Sequence, residues 1–179
     1  MLRGFCRGLT QVWRSGNIQC MSLNRLAVLT IATAAGVFAQ GLPTMKMLTV
    51  DVAQTIAQEA MAKCRADGYK VSVRVVDHAN VEKAFLRDDG AGMATVQVAT
   101  MKGNSVMAFG RPSGPPPGLA PGAPVPAPVV PGTINAMGGV PIKVGDQVIG
   151  AVAVSGAPGG DKDAACANAA ISKVEARLK

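Results

Sequence analysis

The chain contains one histidine, His78, in the stretch Asp77-His78-Ala79-Asn80. An imidazole binds transition metals well and titrates near neutral pH. Alone it cannot build a zinc site, which needs three or four His, Cys or carboxylate ligands, and no C-x-x-C or Cys/His spacing supplies them. A lone histidine in a turn otherwise reads as a solvated residue. Four aspartates fall in pairs, Asp88 with Asp89 and Asp161 with Asp163. Paired carboxylates do acid–base work when a cleft drives their pKa values apart. Here each pair stands in a loop or at a helix start, where aspartate caps backbone N–H groups and complements the helix dipole. We read both pairs as structural. No Ser/His/Asp order, P-loop or strand-following G-x-G-x-x-G is present, so the chain carries no signature of a stand-alone enzyme.

Charge narrows the partners. The formal net charge is +7, but residues 1–40 hold Arg3, Arg7, Arg14 and Arg25 and no acid. The remainder has 14 basic and 11 acidic groups, with no basic stripe interleaved with aromatics, which argues against nucleic-acid binding. From Met21 the sequence "MSLNRLAVLTIATAAGVFAQG" has the three parts of a secretory signal: Arg25, an apolar run Leu26–Phe38, and a small-residue site ending at Ala39. That run falls short of the roughly 20 residues of a membrane-spanning helix. We expect translation to start at Met21, cleavage after Ala39 and a periplasmic or secreted product. Residues 1–20 then belong to an over-extended reading frame. The rival is a mitochondrial presequence, since residues 1–25 bear arginine and no acid. Cys6 and Cys20 fall in the excluded segment. Cys64 and Cys166 lie on apolar helical faces and are expected to be buried small residues, with a disulfide as the alternative that export permits.

The elements that must position these residues can be read from periodicity. In "LTVDVAQTIAQEAMAKCRADGY", Thr49 is placed to cap a helix whose apolar stripe is Val52, Ile56, Ala60 and Cys64, ended by Gly68. "KVSVRVVD" alternates as a half-buried strand, with Val71, Val73 and Val75 on one face and Ser72 and Arg74 on the other. "VEKAFLR" returns as its partner across the His78 turn. A second helix is expected over Met93–Phe109, weakened by Gly103 at a cost of about 1 kcal/mol relative to alanine. Residues 111–131 contain nine prolines and can form neither helix nor central strand, so they read as an extended flap. A last helix follows Gly159-Gly160, with Ala167, Ile171, Val174 and Leu178 as its stripe.

Between flap and last helix, "GGVPIKVGDQVIGAVAVSG" reads as a hairpin with a Gly145-Asp146 turn. The expected pairs are Val144 with Gln147, Ile142 with Ile149, and Val140 with Ala151. The return strand is apolar on both faces, with Ile149, Ala151 and Ala153 on one and Val148, Val152 and Val154 on the other. Its small residues are expected to leave the floor of a pocket for a flat ligand. The order of elements gives an α+β domain over residues 45–179: one antiparallel sheet of about five strands, packed with helices.

Several stretches, taken in order, resemble the GlcG/HbpS-type family of heme-binding proteins, related to the C-terminal domain of PduO-type corrinoid adenosyltransferases. They are "LTVDVAQTIAQEAMAKCRADG", "VSVRVVD", "LRDDGAGMATVQVATMK", "FGRPS", "PGTINAMGGVPI" and "GAVAVSGAPGGDKDAACANAA". The resemblance spans roughly Leu48 to Val174. It implies a profilin- or PAS-like domain forming dimers and larger oligomers, with a tetrapyrrole ligand. Heme is the first expectation and a corrinoid the alternative, with a sensor or transport protein as possible partner. Other relatives, from glycolate-utilisation operons, imply instead an accessory of small hydroxy-acid metabolism, binding an organic acid near Arg87 or Lys102 and the N-terminus of the last helix. Three departures stand out. His78-Ala79 replaces a Gly/Asn-rich tight turn and predicts a looser first hairpin; Gly103-Asn104 replaces better helix formers; and the flap is unusually rich in proline.

For heme, the resemblance calls for an iron donor, an apolar slot and a cation near the propionates. His78 is the best donor by chemistry. Met137 offers a thioether, although it also reads as core. Thr133 falls in the "PGT" segment where heme-binding relatives carry a pocket threonine. Arg87, Lys102 and Arg111 are the propionate candidates, or else surface charges paired with Asp88 and Asp89.

Overall fold

In the computed structural model, which describes residues 44–120 and 122–179, Thr49 caps helix α1 (Val50–Ala66) by accepting the Val52 N–H at 3.4 Å. The signal-peptide reading at Met21 and Ala39, and Cys6 and Cys20, lie outside the described residues. Gly68 follows α1 with φ +82°, a backbone that L side chains rarely adopt. The chain continues through β1 (Ser72–Asp77), β2 (Glu82–Arg87), α2 (Ala94–Phe109), β3 (Gly139–Val144), β4 (Gln147–Ser155) and α3 (Gly160–Val174), closing with a short 3₁₀ turn. The strands form one antiparallel sheet in the order β2-β1-β4-β3. There are four strands where about five were expected, because the segment between α2 and β3 adds none among the described residues. Pro141 is accommodated because β3 is an edge.

The sheet is covered on both faces, α1 and α3 on one side and α2 on the other. Ile56, Ala60, Cys64, Val73, Val75, Val152, Val154 and Ala167 form the larger core. The opposite face has a small apolar cluster of Val76, Val106 and Ala151. β1 was expected to be half-buried, yet all six of its residues are buried. Ser72 and Arg74 point beneath α2, where the Ser72 hydroxyl meets Thr95 Oγ1 at 2.8 Å.

The second hairpin departs from its expected register. Val144 pairs with Gln147 as predicted, but a bulge between Ile142 and Lys143 pairs Ile142 with Gly150 and Val140 with Val152. The extra residue turns Ile149 into the larger core, beside Leu48 and Val52, rather than onto the Ala151 face. Gly150 is required there, because a Cβ would overlap the Val76 carbonyl of β1.

Cys64 and Cys166 are not free thiols. They form a disulfide joining α1 to α3, with Cα atoms 5.6 Å apart. Both helices lay their small-residue stripes on the same sheet face, which brings the two cysteines within bonding reach. The bond closes a separation of 102 residues. Replacing both cysteines with alanine is expected to lower the urea unfolding free energy by about 2–5 kcal/mol; an unchanged midpoint would contradict the bond.

Candidate functional site

The alanine-lined strand is not the floor of a slot. α2 lies directly on it: a Cβ built at Gly103 would sit 3.6 Å from Ala153 Cβ and 3.0 Å from Arg74 Nη1. Small residues on both sides let helix and sheet close up, so the space is filled by backbone rather than left for a ligand. Gly103, read from sequence as a weak point, is the seat of this contact. Arg74 is buried under α2 and donates to the Thr100 carbonyl, Asn104 Oδ1, the Asn80 carbonyl and Glu82.

One residue before Gly103, Lys102 is also buried. Its ammonium donates to Asp163 Oδ2 at 2.7 Å and the Val154 carbonyl at 2.9 Å, tying α2 to the start of α3 and to β4. Burial pushes the Asp163 carboxyl above its usual range, and the Lys102 pair and the Ala157 N–H only partly offset this. Gly138 leaves room for the pair, since a Cβ there would lie 2.6 Å from Lys102 Nζ. Lys102 is therefore not free to meet a propionate or an organic acid, and the N-terminus of α3 is already supplied with an anion.

Beyond this contact a groove of about 380 Å³ opens between the first hairpin turn, the C-terminal half of α2 and the end of the flap. His78, Ala79 and Asn80 form one wall, Asn104, Met107 and Ala108 the second, and Val130, Pro131 and Thr133 the third. His78 and Thr133, separated by more than fifty positions in the chain, thus meet in one site. The turn carrying His78 is tight rather than loose. Asp77 Oδ1 accepts the N–H groups of Ala79 and Val81 at 2.9 and 3.0 Å, and Asn80 takes φ +60°, which asparagine tolerates. Burial raises the Asp77 carboxyl, but the Val81 and Ala79 N–H bonds and the Lys83 charge outweigh it and hold the pKa below the ordinary aspartate value. His78 Nδ1 and Asn80 Oδ1 are both buried without a hydrogen-bond partner. Such atoms are uncommon in native interiors and call for an explanation.

Asn104 joins the walls. Its Oδ1 accepts from Asn80 Nδ2 at 2.9 Å and from Arg74 at 3.2 Å, and its Nδ2 donates to the Gly132 carbonyl at 3.0 Å. Ser105 holds the same leg of the flap through both the N–H and the carbonyl of Ile134. The Thr133 hydroxyl donates to the Val130 carbonyl at 2.6 Å, which leaves its oxygen lone pairs available. The remaining candidates lie elsewhere. Met137 is half-exposed beside Gly114 and Gly160. Arg87 donates to the Ala91 carbonyl and lines a separate depression with Met61 and Arg65. Arg111 stacks on the Phe109 ring at 5.4 Å and donates to the Pro112 carbonyl. Of the acidic pairs, Asp88 is engaged by Arg65 at 2.9 Å, which with lesser help from Lys70 holds its carboxyl below the usual range against burial.

The family model described as "Haem degrading protein HbpS-like" matches residues 48–172. The chain belongs to this HbpS-like family. Among solved structures it is similar to HbpS, at 29% identity and TM-score 0.64, over 77% of this chain and 99% of that one. It shares its fold with Klebsiella pneumoniae protein ORFY, at 24% identity and TM-score 0.64, over 75% of this chain and 95% of that one. It also shares the fold of PduOC in a heme complex, at 18% identity and TM-score 0.60, over 71% and 94%. No curated protein matches the sequence. Asn80, Asn104 and Met107 are groove residues that the sequence did not single out as ligand-facing. Asn104 stood out only as a departure from a better helix former.

Two measurements probe this site. Lys102→Met, which leaves Asp163 buried and unpaired, is expected to cost about 3–5 kcal/mol in urea unfolding, and adding Asp163→Leu to recover much of that loss. The pH dependence follows from Asp77. Its folded pKa lies below the unfolded value of about 3.9, so its contribution is complete above that value and is lost as pH falls through the folded pKa. Asp88 acts in the same sense, whereas raised Asp163 favours the folded state as pH falls through its folded pKa. Asp77→Asn is therefore expected to lose less melting temperature between pH 7 and pH 3 than the parent chain.

Proposed function

We propose that this protein is an exported heme-binding protein whose ligand occupies the groove under the flap, where it serves heme sensing, buffering or delivery. The observation that carries the reading is His78, which lines the groove beside the apolar Met107, Ala108, Val130 and Pro131 and whose buried Nδ1 has no hydrogen-bond partner. The residues suit the group. His78 would hold the iron, Met107, Ala108, Val130 and Pro131 would contact the macrocycle, and the buried Thr133 offers a weaker oxygen donor on the third wall. Bound heme would supply an iron able to change oxidation state and take exogenous ligands. The chain's own part is to orient the imbidazole-bearing turn through Asp77 and to set the groove's width through Asn104.

Family membership supports a tetrapyrrole ligand, and the PduOC neighbour was crystallised with heme. Export is supported by the Cys64–Cys166 disulfide, since such bonds persist chiefly in oxidising compartments. Among the described residues no helix is long and apolar enough to cross a membrane. Self-assembly, or docking with a sensor or transport protein, belongs to the same proposal; β2 and β3 leave two open sheet edges for it. The hydroxy-acid reading lacks comparable support, because Lys102 and the start of α3 are already neutralised by Asp163.

Titrating the purified protein with hemin is expected to give a saturable, shifted Soret band, and His78→Ala to weaken binding at least tenfold and change the spectrum. A spectrum indistinguishable from free hemin would remove the proposal. Normal binding by the His78→Ala protein would remove His78 from the site. Parallel titration with a cobalamin separates the corrinoid alternative.

A further inference from the structure

The groove has a chemical peculiarity that bears on how a tetrapyrrole would be recognised. Among the described residues, none of the nine that line it is lysine or arginine. The cations that could serve carboxylates are engaged or distant: Lys83, beside the His78 turn, pairs with Asp77 at 3.7 Å. Lys102 is buried against Asp163. Arg74 lies beneath α2, with its donors taken by Glu82, Asn104 and the Asn80 and Thr100 carbonyls. Arg111 rests on Phe109, and Arg87 lines another depression. In addition, one of the two buried unpartnered atoms at the groove is an oxygen, Asn80 Oδ1, an acceptor that repels a carboxylate. A carboxylate taken out of water against this wall would have no compensating charge, and its desolvation would go unanswered.

We infer that the groove reads a tetrapyrrole through its metal and its apolar edge, and leaves the propionates outside in solvent. The inference rests on the heme reading given above and adds the ligand's orientation and the chemical class accepted: metalloporphyrins irrespective of their carboxylate side chains. A neutral metalloporphyrin suits the site as well as hemin does, and a metal-free porphyrin does not, because the His78 imidazole on the groove wall then has no metal to bind.

The test compares hemin, hemin dimethyl ester and metal-free protoporphyrin IX, each titrated into the purified protein in one buffered water–dimethyl sulfoxide mixture. Binding is followed by Soret titration, with the porphyrin's own emission used for the metal-free compound. The expected result is that hemin and its dimethyl ester bind within threefold of each other, at low and high salt alike, while the metal-free porphyrin binds at least tenfold more weakly. An ester at least tenfold weaker than hemin would overturn the inference, because it would place a cation on the propionates. Metal-free porphyrin binding as tightly as hemin would overturn it as well. If hemin itself gave no saturable binding, the heme reading would fall, an outcome distinct from either of these.

Discussion

The seating of α2 on the sheet governs the rest of the molecule. Gly103 and Ala153 remove the side chains that would hold helix and strand apart, and Arg74 and Lys102 fill the flanks with buried charge. Both charges are answered by several partners, Lys102 by a carboxylate and a carbonyl, Arg74 by four groups. A buried cation without such partners would cost several kcal/mol, so the two clusters specify the position of α2 more strictly than its small apolar contact does. Gly138 and Gly150 belong to the same economy of space, each giving way to a neighbouring backbone or side chain.

The groove follows from that seating. Asn104 is the next residue after Gly103, and it reaches both the His78 turn and the flap because α2 is held close to β1. The groove is therefore made by the ends of elements, a turn, a helix terminus and a loop, rather than by the strand itself. Orphaned polar atoms gather where these ends meet, which is how binding sites commonly differ from the cores that carry them.

Most of the secondary structure was legible in local patterns. The Thr49 cap, the α1 stripe, the Gly145-Asp146 turn and the extended flap each follow from residue types at fixed spacing. What could not be read was tertiary. The small residues of β4 are equally compatible with an empty slot and with a helix pressed against them, and only the partner, Gly103, decides. The bulge at Ile142 shifts the hairpin register by one residue, which no alternation pattern announces. The disulfide depended on two helices meeting across one sheet face, a long-range fact invisible from the cysteines' own surroundings. His78 and Thr133 were chosen for their chemistry, and their proximity emerged only from the fold.

The disulfide is placed on one side of the sheet. It joins α1 and α3, while α2 and the flap on the opposite side are held by hydrogen bonds, ion pairs and a small apolar cluster, with no covalent cross-link among the described residues. The two layers consequently differ in mechanical character. One is covalently cross-linked; the other lacks such a bond and is the layer from which sub-global opening is expected to start. A domain divided in this way has a durable, cross-linked frame and a separate, softer face, and the groove lies on the softer one.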